Sequence, residues 1–384
     1  MNETQLQGIL SKATGGMPLA YSEILDLLSL EDPREIQRVM SAARRVRETF
    51  FGNRVFLYGF IYFSTFCRNH CAFCFYRKNN TLSPRYRKSL ENVLEIAVGL
   101  ADSGVHLLDL TMGEDPLMHD TGDFGMLFEM ITAVKKETGL PMMISPGVVP
   151  DEILLRFSDS VVDWYALYQE THNSTLYRNL RLGQGFEERI AKRAVARRSG
   201  MLIEDGILLG VGETIRDRAD AIMTMKGSGV HQARAMSLVP QRQTPLADRV
   251  EPARISEYLC IAVMRLVMPD RLIPASLDVD GIRGLRMRLD AGANVVTSII
   301  PPNSNLAGVS QSTLDIEQGL RTVPEVKKVL SWMGLEAADA ADYREWVTAQ
   351  KEKTAEEYRH DDYRSYRGKA SGIGSCLSRP SGRI

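Results

Sequence analysis

Cysteine is scarce: the chain has five in 384 residues. That is too few for a disulfide framework, and an odd number leaves at least one thiol unpaired. An excess of charge of one sign is also missing. Forty-seven Lys and Arg stand against 48 Asp and Glu, a net charge of -1. No overall field draws the chain to nucleic acid or to an anionic membrane, and neither partner is expected. Long apolar runs are absent too. The longest, 55–66, is broken by Tyr, Gly, Ser and Thr, and it is shorter than the roughly 20 residues a spanning helix needs. The opening MNETQLQGILSKATGG lacks the basic-then-apolar pattern of a signal peptide. A cytoplasmic chain with reduced thiols is therefore expected.

What is present is ordinary in bulk: 44% hydrophobic and 25% charged residues, as in a globular protein. Residues 18–50 carry apolar positions at helical spacing. Short β-rich runs then alternate with longer amphipathic segments. The runs are 55–63, 105–111, 141–145, 161–168, 201–210, 233–239, 272–276 and 294–300. The helix-like segments between them are 87–102, 124–138, 151–157, 186–199, 214–226, 255–267 and 281–290. Eight strands separated by seven helices predict an α/β fold, a (β/α)8 TIM-type barrel. The expected layout is a helical segment over 1–50, the barrel over 51–305, a helical segment over 306–350 and a charged, flexible tail over 351–384.

Three of the five cysteines crowd into one stretch, FCRNHCAFC. Cys67, Cys71 and Cys74 are spaced C-x3-C-x2-C, while Cys260 and Cys376 lie far away. Burial in an apolar core is opposed by Arg68, Asn69 and His70 in the same loop. A Cys3His zinc site that includes His70 is possible by residue type, although such sites usually join two separated knuckles. The other reading is an iron–sulfur cluster held by three thiolates, with one iron left open for a chelating ligand. In a (β/α)8 barrel, chemistry sits at the C-terminal ends of the strands, and this loop follows the first strand directly. TMGEDP, ISPG, YQETHN, GVGET, VPQRQTP and PASLDVDG follow the next six.

The cysteine spacing, with Phe73 before the last thiol, resembles the radical S-adenosylmethionine (SAM) superfamily. The resemblance implies a [4Fe–4S] cluster on Cys67, Cys71 and Cys74, with SAM on its open iron. Reductive cleavage of SAM would give a 5′-deoxyadenosyl radical. Gly113-Glu114 is similar to the element that holds the SAM ammonium, with Met112 where the superfamily has a first glycine. In biotin-synthase-like members, positions matching Glu170 and Arg189 contact the ribose and the methionine carboxylate. The strand ending at Gly210 and Gly212 lies beside the adenine in that group. Biotin synthase needs further strand cysteines for a sulfur-donating cluster, and this chain has none.

Within that group, LDLTMGEDP, ALYQET, LYRNLRLGQ, EDGILLGVG, RLIPASLD and AGANVVTSIIPP resemble, in order, segments of the methylornithine synthase family of pyrrolysine biosynthesis. The implied reaction isomerises L-lysine by hydrogen abstraction at Cγ, Cα–Cβ fragmentation and recombination. Two ammonium groups and a carboxylate must then be buried, and each needs a partner. The strands offer them. Asp109 and Thr111 share parity along an apolar strand, Arg234 lies inside another, and Ser276 and Asp278 end a third. An acid in mid-strand is expensive unless it faces a polar cavity. The resemblance places all five round the amino acid, with Arg234 on its carboxylate. An internal Asp109–Arg234 or Asp278–Arg234 ion pair is the structural alternative. A reductant such as flavodoxin or ferredoxin, and a monomeric state, are further expectations. The competing functions are another enzyme of the group, such as a hydrogenase-cofactor maturation protein, and a non-catalytic iron–sulfur or zinc protein.

Overall fold

The computed structural model describes residues 1–308, 310 and 319–359. The eight expected strands form where the apolar runs lie. They are β1 (Arg54–Ser64), β2 (Leu107–Met112), β3 (Met142–Ser145), β4 (Trp164–Ala166), β5 (Leu202–Leu209), β6 (Gln232–Ser237), β7 (Pro274–Ser276) and β8 (Val295–Ile299), with β9 (Glu336–Ala337) added late. All paired neighbours are parallel, in the order β6-β5-β4-β3-β2-β1-β8-β7. A parallel bridge from Gln232 to Leu272, just before β7, joins the two ends and closes the barrel. Strands buried on both faces read as continuous apolar runs, and all of β1 after Arg54 is buried.

Seven longer helices fill the connections near their expected limits, from Leu90–Ser103 to Ile282–Asp290. Two short ones, Pro116–His119 and Ser174–Leu180, lie in the loops after β2 and β4. Each is too short to show a helical period. Asp115 and Asn173 cap them through their side chains, which satisfies otherwise orphaned N–H groups.

The barrel floor is sealed by the C-terminal segment. β9 pairs with the start of β1, and the final helix, Ala340–Arg359, crosses the expected boundary at 350. Residues 351–359, expected as flexible tail, continue this helix, and its inner side is anchored. Trp346 stacks on Trp164 at 5.9 Å, the Tyr343 and Tyr58 hydroxyls meet at 2.8 Å, and Thr354 meets His231 at 2.8 Å. The expectations for 360–384, Cys376 among them, lie outside the described residues. Among the described residues, no helix is long and apolar enough to cross a membrane.

Candidate active site

At the opposite end, the loops after the strands enclose one cavity. Eleven of the fourteen expected site residues line it: Cys67, Cys71, Phe73, Cys74, Asp109, Thr111, Glu114, Glu170, Arg189, Arg234 and Asp278. Ser276 stands just behind, where its Oγ accepts the Asp278 N–H at 3.2 Å. Gly210 and Gly212 do not line the cavity. Both have positive φ, but a Cβ on Gly210 would strike Pro252, and one on Gly212 would crowd Arg249. Their freedom is used against the neighbouring loop.

The cysteine loop is fixed by backbone bonds to its neighbours. Arg68 N donates to Glu114 O at 2.8 Å, and Ala72 N to Leu180 O at 2.7 Å. Gly113 makes the first contact possible, since a Cβ there would lie 2.3 Å from Phe66 O. Burial pushes the Cys67 thiol up to about 11, so metal must displace protons to bind here. Among the described residues, no group of three or more His, Cys, Asp or Glu could hold a single ion. Three thiols lining one cavity are the donor set of a cluster in which each takes a different iron.

Glu114 is buried, and its carboxylate accepts from Arg68 Nε at 3.1 Å and Val148 N at 3.1 Å. Burial alone would raise its pKa. Arg189, His119 and the Val148 N–H outweigh burial and hold the carboxyl below its usual range. Gly147 leaves it room, because a Cβ there would meet Glu114 Cγ at 2.3 Å. Glu170 takes a left-handed φ of 67°, the kind of backbone strain that collects at sites. Its side chain pairs with buried Arg181 at 2.6 Å.

Deeper in the barrel, the charges pair differently from expectation. Neither the Asp109–Arg234 nor the Asp278–Arg234 ion pair forms. Arg234 Nε donates instead to Glu204 at 2.8 Å, and its Nη1 to Thr297 at 3.1 Å. Asp278 pairs with Arg321 at 2.9 Å and also accepts from Tyr62 and Ser298. Among the described residues, Asp109 accepts only from the Ser145 hydroxyl, at 3.0 Å. Burial, then the nearby Glu204 charge, pushes Asp109 up to about 7. Arg234 Nη2 is buried and has no hydrogen-bond partner among the described residues.

Glu204 had a signal in the sequence. It shares parity with Gly206 on β5 and faces Arg234, while adjacent Asp205 faces the other way to Arg193 and His172. Arg321 had none, since it follows the last barrel strand in an irregular segment.

A barrel with three thiols on the loop after its first strand, and an acid at the end of its second, has the architecture of radical SAM enzymes. Residues 61–225 match the radical SAM superfamily. The chain is 44% identical over 332 residues to 3-methylornithine synthase of Methanosarcina barkeri, covering 86% of this chain and 94% of that one. It is 28% identical to the [FeFe] hydrogenase maturase subunit HydE of Thermotoga maritima, over 71% and 77% of the two chains. The crystal structure of methylornithine synthase (PylB) superposes with a TM-score of 0.84 at 43% identity, over 88% of this chain and 99% of that one. The chain belongs to the 3-methylornithine synthase family of the radical SAM superfamily.

Proposed function

We propose that the chain isomerises L-lysine to 3-methylornithine in the cytoplasm, using a [4Fe–4S] cluster on Cys67, Cys71 and Cys74 and SAM beside it. When bound, the cluster and SAM supply the radical that abstracts hydrogen. The chain's own residues must hold lysine and keep water out. The observation that carries this reading is the charge balance inside the barrel. Among the described residues, Asp109, Glu204 and Asp278 are balanced by Arg234 and Arg321, so the layer, when fully ionised, has one uncompensated negative charge. Lysine, with two ammonium groups and one carboxylate, carries the complementary positive charge. The unpartnered Arg234 Nη2 is a ready donor to the carboxylate. Asp109, which lacks a cation, receives an ammonium, and Thr111, Ser276 and Asp278 complete the polar wall. Glu114 accepts from the SAM ammonium, Arg189 holds its carboxylate, and Glu170 the ribose. The backbone near Gly210 and Gly212 supports the adenine side.

Residues 55–90 contain no Asp or Glu but carry Arg68, Arg77, Lys78, Arg85, Arg87 and Lys88. Exposed Lys78, Arg178 and Arg242 stand on this loop and on the flanking ones. A reductant with an acidic face, such as flavodoxin or ferredoxin, fits that surface.

Glu114→Gln should leave iron content unchanged and weaken SAM binding about 10-fold or more. A charge-assisted bond of about 1.5–3 kcal/mol is reduced to a neutral one. Calorimetry on the reconstituted protein measures it, and an unchanged Kd would remove Glu114 from the SAM site.

Asp109 gives a pH test of the lysine site. Its folded pKa lies above its ordinary value, so the folded state holds this proton more tightly than the unfolded chain does. Its contribution to stability therefore falls as pH rises from 3.8 to about 7. Lysine binding needs the carboxylate, and KM for lysine should fall through the same upper range. Asp109→Asn should lose lysine turnover yet melt no lower than wild type at pH above about 7. A variant that melts several degrees lower and keeps its lysine KM would make Asp109 a structural group only.

A further inference from the structure

Between the helices Ser174–Leu180 and Phe186–Arg198, a turn brings Gln184 against the cysteine loop. Gln184 Nε2 lies 3.1 Å from Cys71 Sγ. Its Oε1 lies 3.3 Å from Arg181 Nη1 and 3.3 Å from Arg189 Nη1. These contacts decide which way the amide faces. Guanidinium N–H groups only donate, so the Gln184 atom between them must be the carbonyl oxygen. The NH2 group is left pointing at the sulfur. The flipped amide would set N–H against N–H on one side and oxygen against sulfur lone pairs on the other.

Both arginines are held from behind. Arg181 Nη2 donates to Glu170 at 2.6 Å and to Tyr168 O at 3.1 Å, and Arg189 donates to the same carbonyl. Arg181 Nη1 also stands 3.7 Å from Cys71 Sγ. Cys71 thus faces a neutral side-chain donor and a buried positive charge. Cys67 and Cys74 are met by backbone groups, of Asn69 and Glu114 for the first and Tyr76 for the second.

We propose that Gln184 is a positioning residue that sets the reduction potential of the cluster through the Cys71 sulfur, with Arg181 and Arg189 locking its amide in the donating orientation. The proposal rests on Cys71 being a cluster ligand. Reduction adds negative charge that is shared by the sulfurs, and a donor aimed at one of them favours the reduced state and raises the potential. An electron from outside the protein then reaches the cluster more easily.

The test is an EPR-monitored redox titration of the anaerobically reconstituted full chain, alongside Gln184→Leu and Gln184→Glu. Gln184→Leu removes the donor and leaves both arginines short of an acceptor, so its Tm should fall. Gln184→Glu keeps an acceptor between the arginines and should hold the wild-type Tm, but it turns an anionic oxygen toward the sulfur. Both should retain four irons per chain and show midpoint potentials below wild type, with the Glu variant lowest. A residue that merely packs the turn would lower Tm in the Leu variant and leave both potentials alone. A wild-type potential in iron-replete Gln184→Glu overturns the proposal. If the wild type itself assembles no reducible cluster, the assignment of Cys71 fails, and the proposal with it.

Discussion

Replacing Cys67, Cys71 or Cys74 with Ala should reduce bound iron from four per chain to near zero after anaerobic reconstitution, and abolish SAM cleavage. In the proposed site each thiolate would be the sole protein ligand to its iron. Among the described residues, no other His, Cys, Asp or Glu group is gathered to take its place. Cys260 is the internal control. It is fully buried in the helix Arg254–Val267, away from the cavity, and Cys260→Ala should retain full iron with at most a modest loss of Tm from the small cavity left behind. Iron and acid-labile sulfide assays decide it. Full iron in Cys71→Ala would mean that the loop does not ligate the cluster.

The second large effect is at Arg234. Arg234→Met is a poor test alone, because it strands buried Glu204 without its cation, a loss of about 3–5 kcal/mol. Arg234→Lys keeps the charge beside Glu204 but gives up the planar fork. We expect it to fold, assemble its cluster and bind SAM. Methylornithine formation should fall on the order of 100-fold, the equivalent of about 2–3 kcal/mol of charged bidentate hydrogen bonding. Uncoupled 5′-deoxyadenosine should rise relative to product, because a substrate held by one end no longer presents a single C–H. The double variant Arg234→Met/Glu204→Gln removes both charges and should recover most of the stability without recovering turnover. Wild-type turnover in folded Arg234→Lys would remove Arg234 from the lysine carboxylate.

The parts of this account that were legible in the sequence follow short periods. Short apolar runs separated by amphipathic helices reveal the barrel, and parity alone turns Asp109 and Thr111 into the same interior. The cysteine spacing points to the site because three thiols within eight residues must share one loop. The pairings were not legible, since they are decided by which strands face across the barrel. Asp278 finds Arg321 and Arg234 finds Glu204, each at a sequence distance of 30 or more. Gln184 sits in a turn with no periodicity, and its role depends on two arginines and a sulfur that meet only in the fold. Gly210 and Gly212 have the positive φ that glycine permits, but which loop fills the space beside them is a tertiary matter. Only the end of the final helix, expected as tail from 351, was missed, because its polar sequence conceals the contact of Thr354 with His231 that helps dock it.

The central claim is tested most directly by anaerobic incubation of the reconstituted protein with L-lysine, SAM and a low-potential reductant. Because the expected product has the same mass as lysine, proton NMR should be combined with chromatographic separation. The account predicts a new isomer bearing a methyl doublet, formed only when SAM and reductant are both present, with lysine consumed in equal amount. Cleavage of SAM with lysine left unchanged would contradict it.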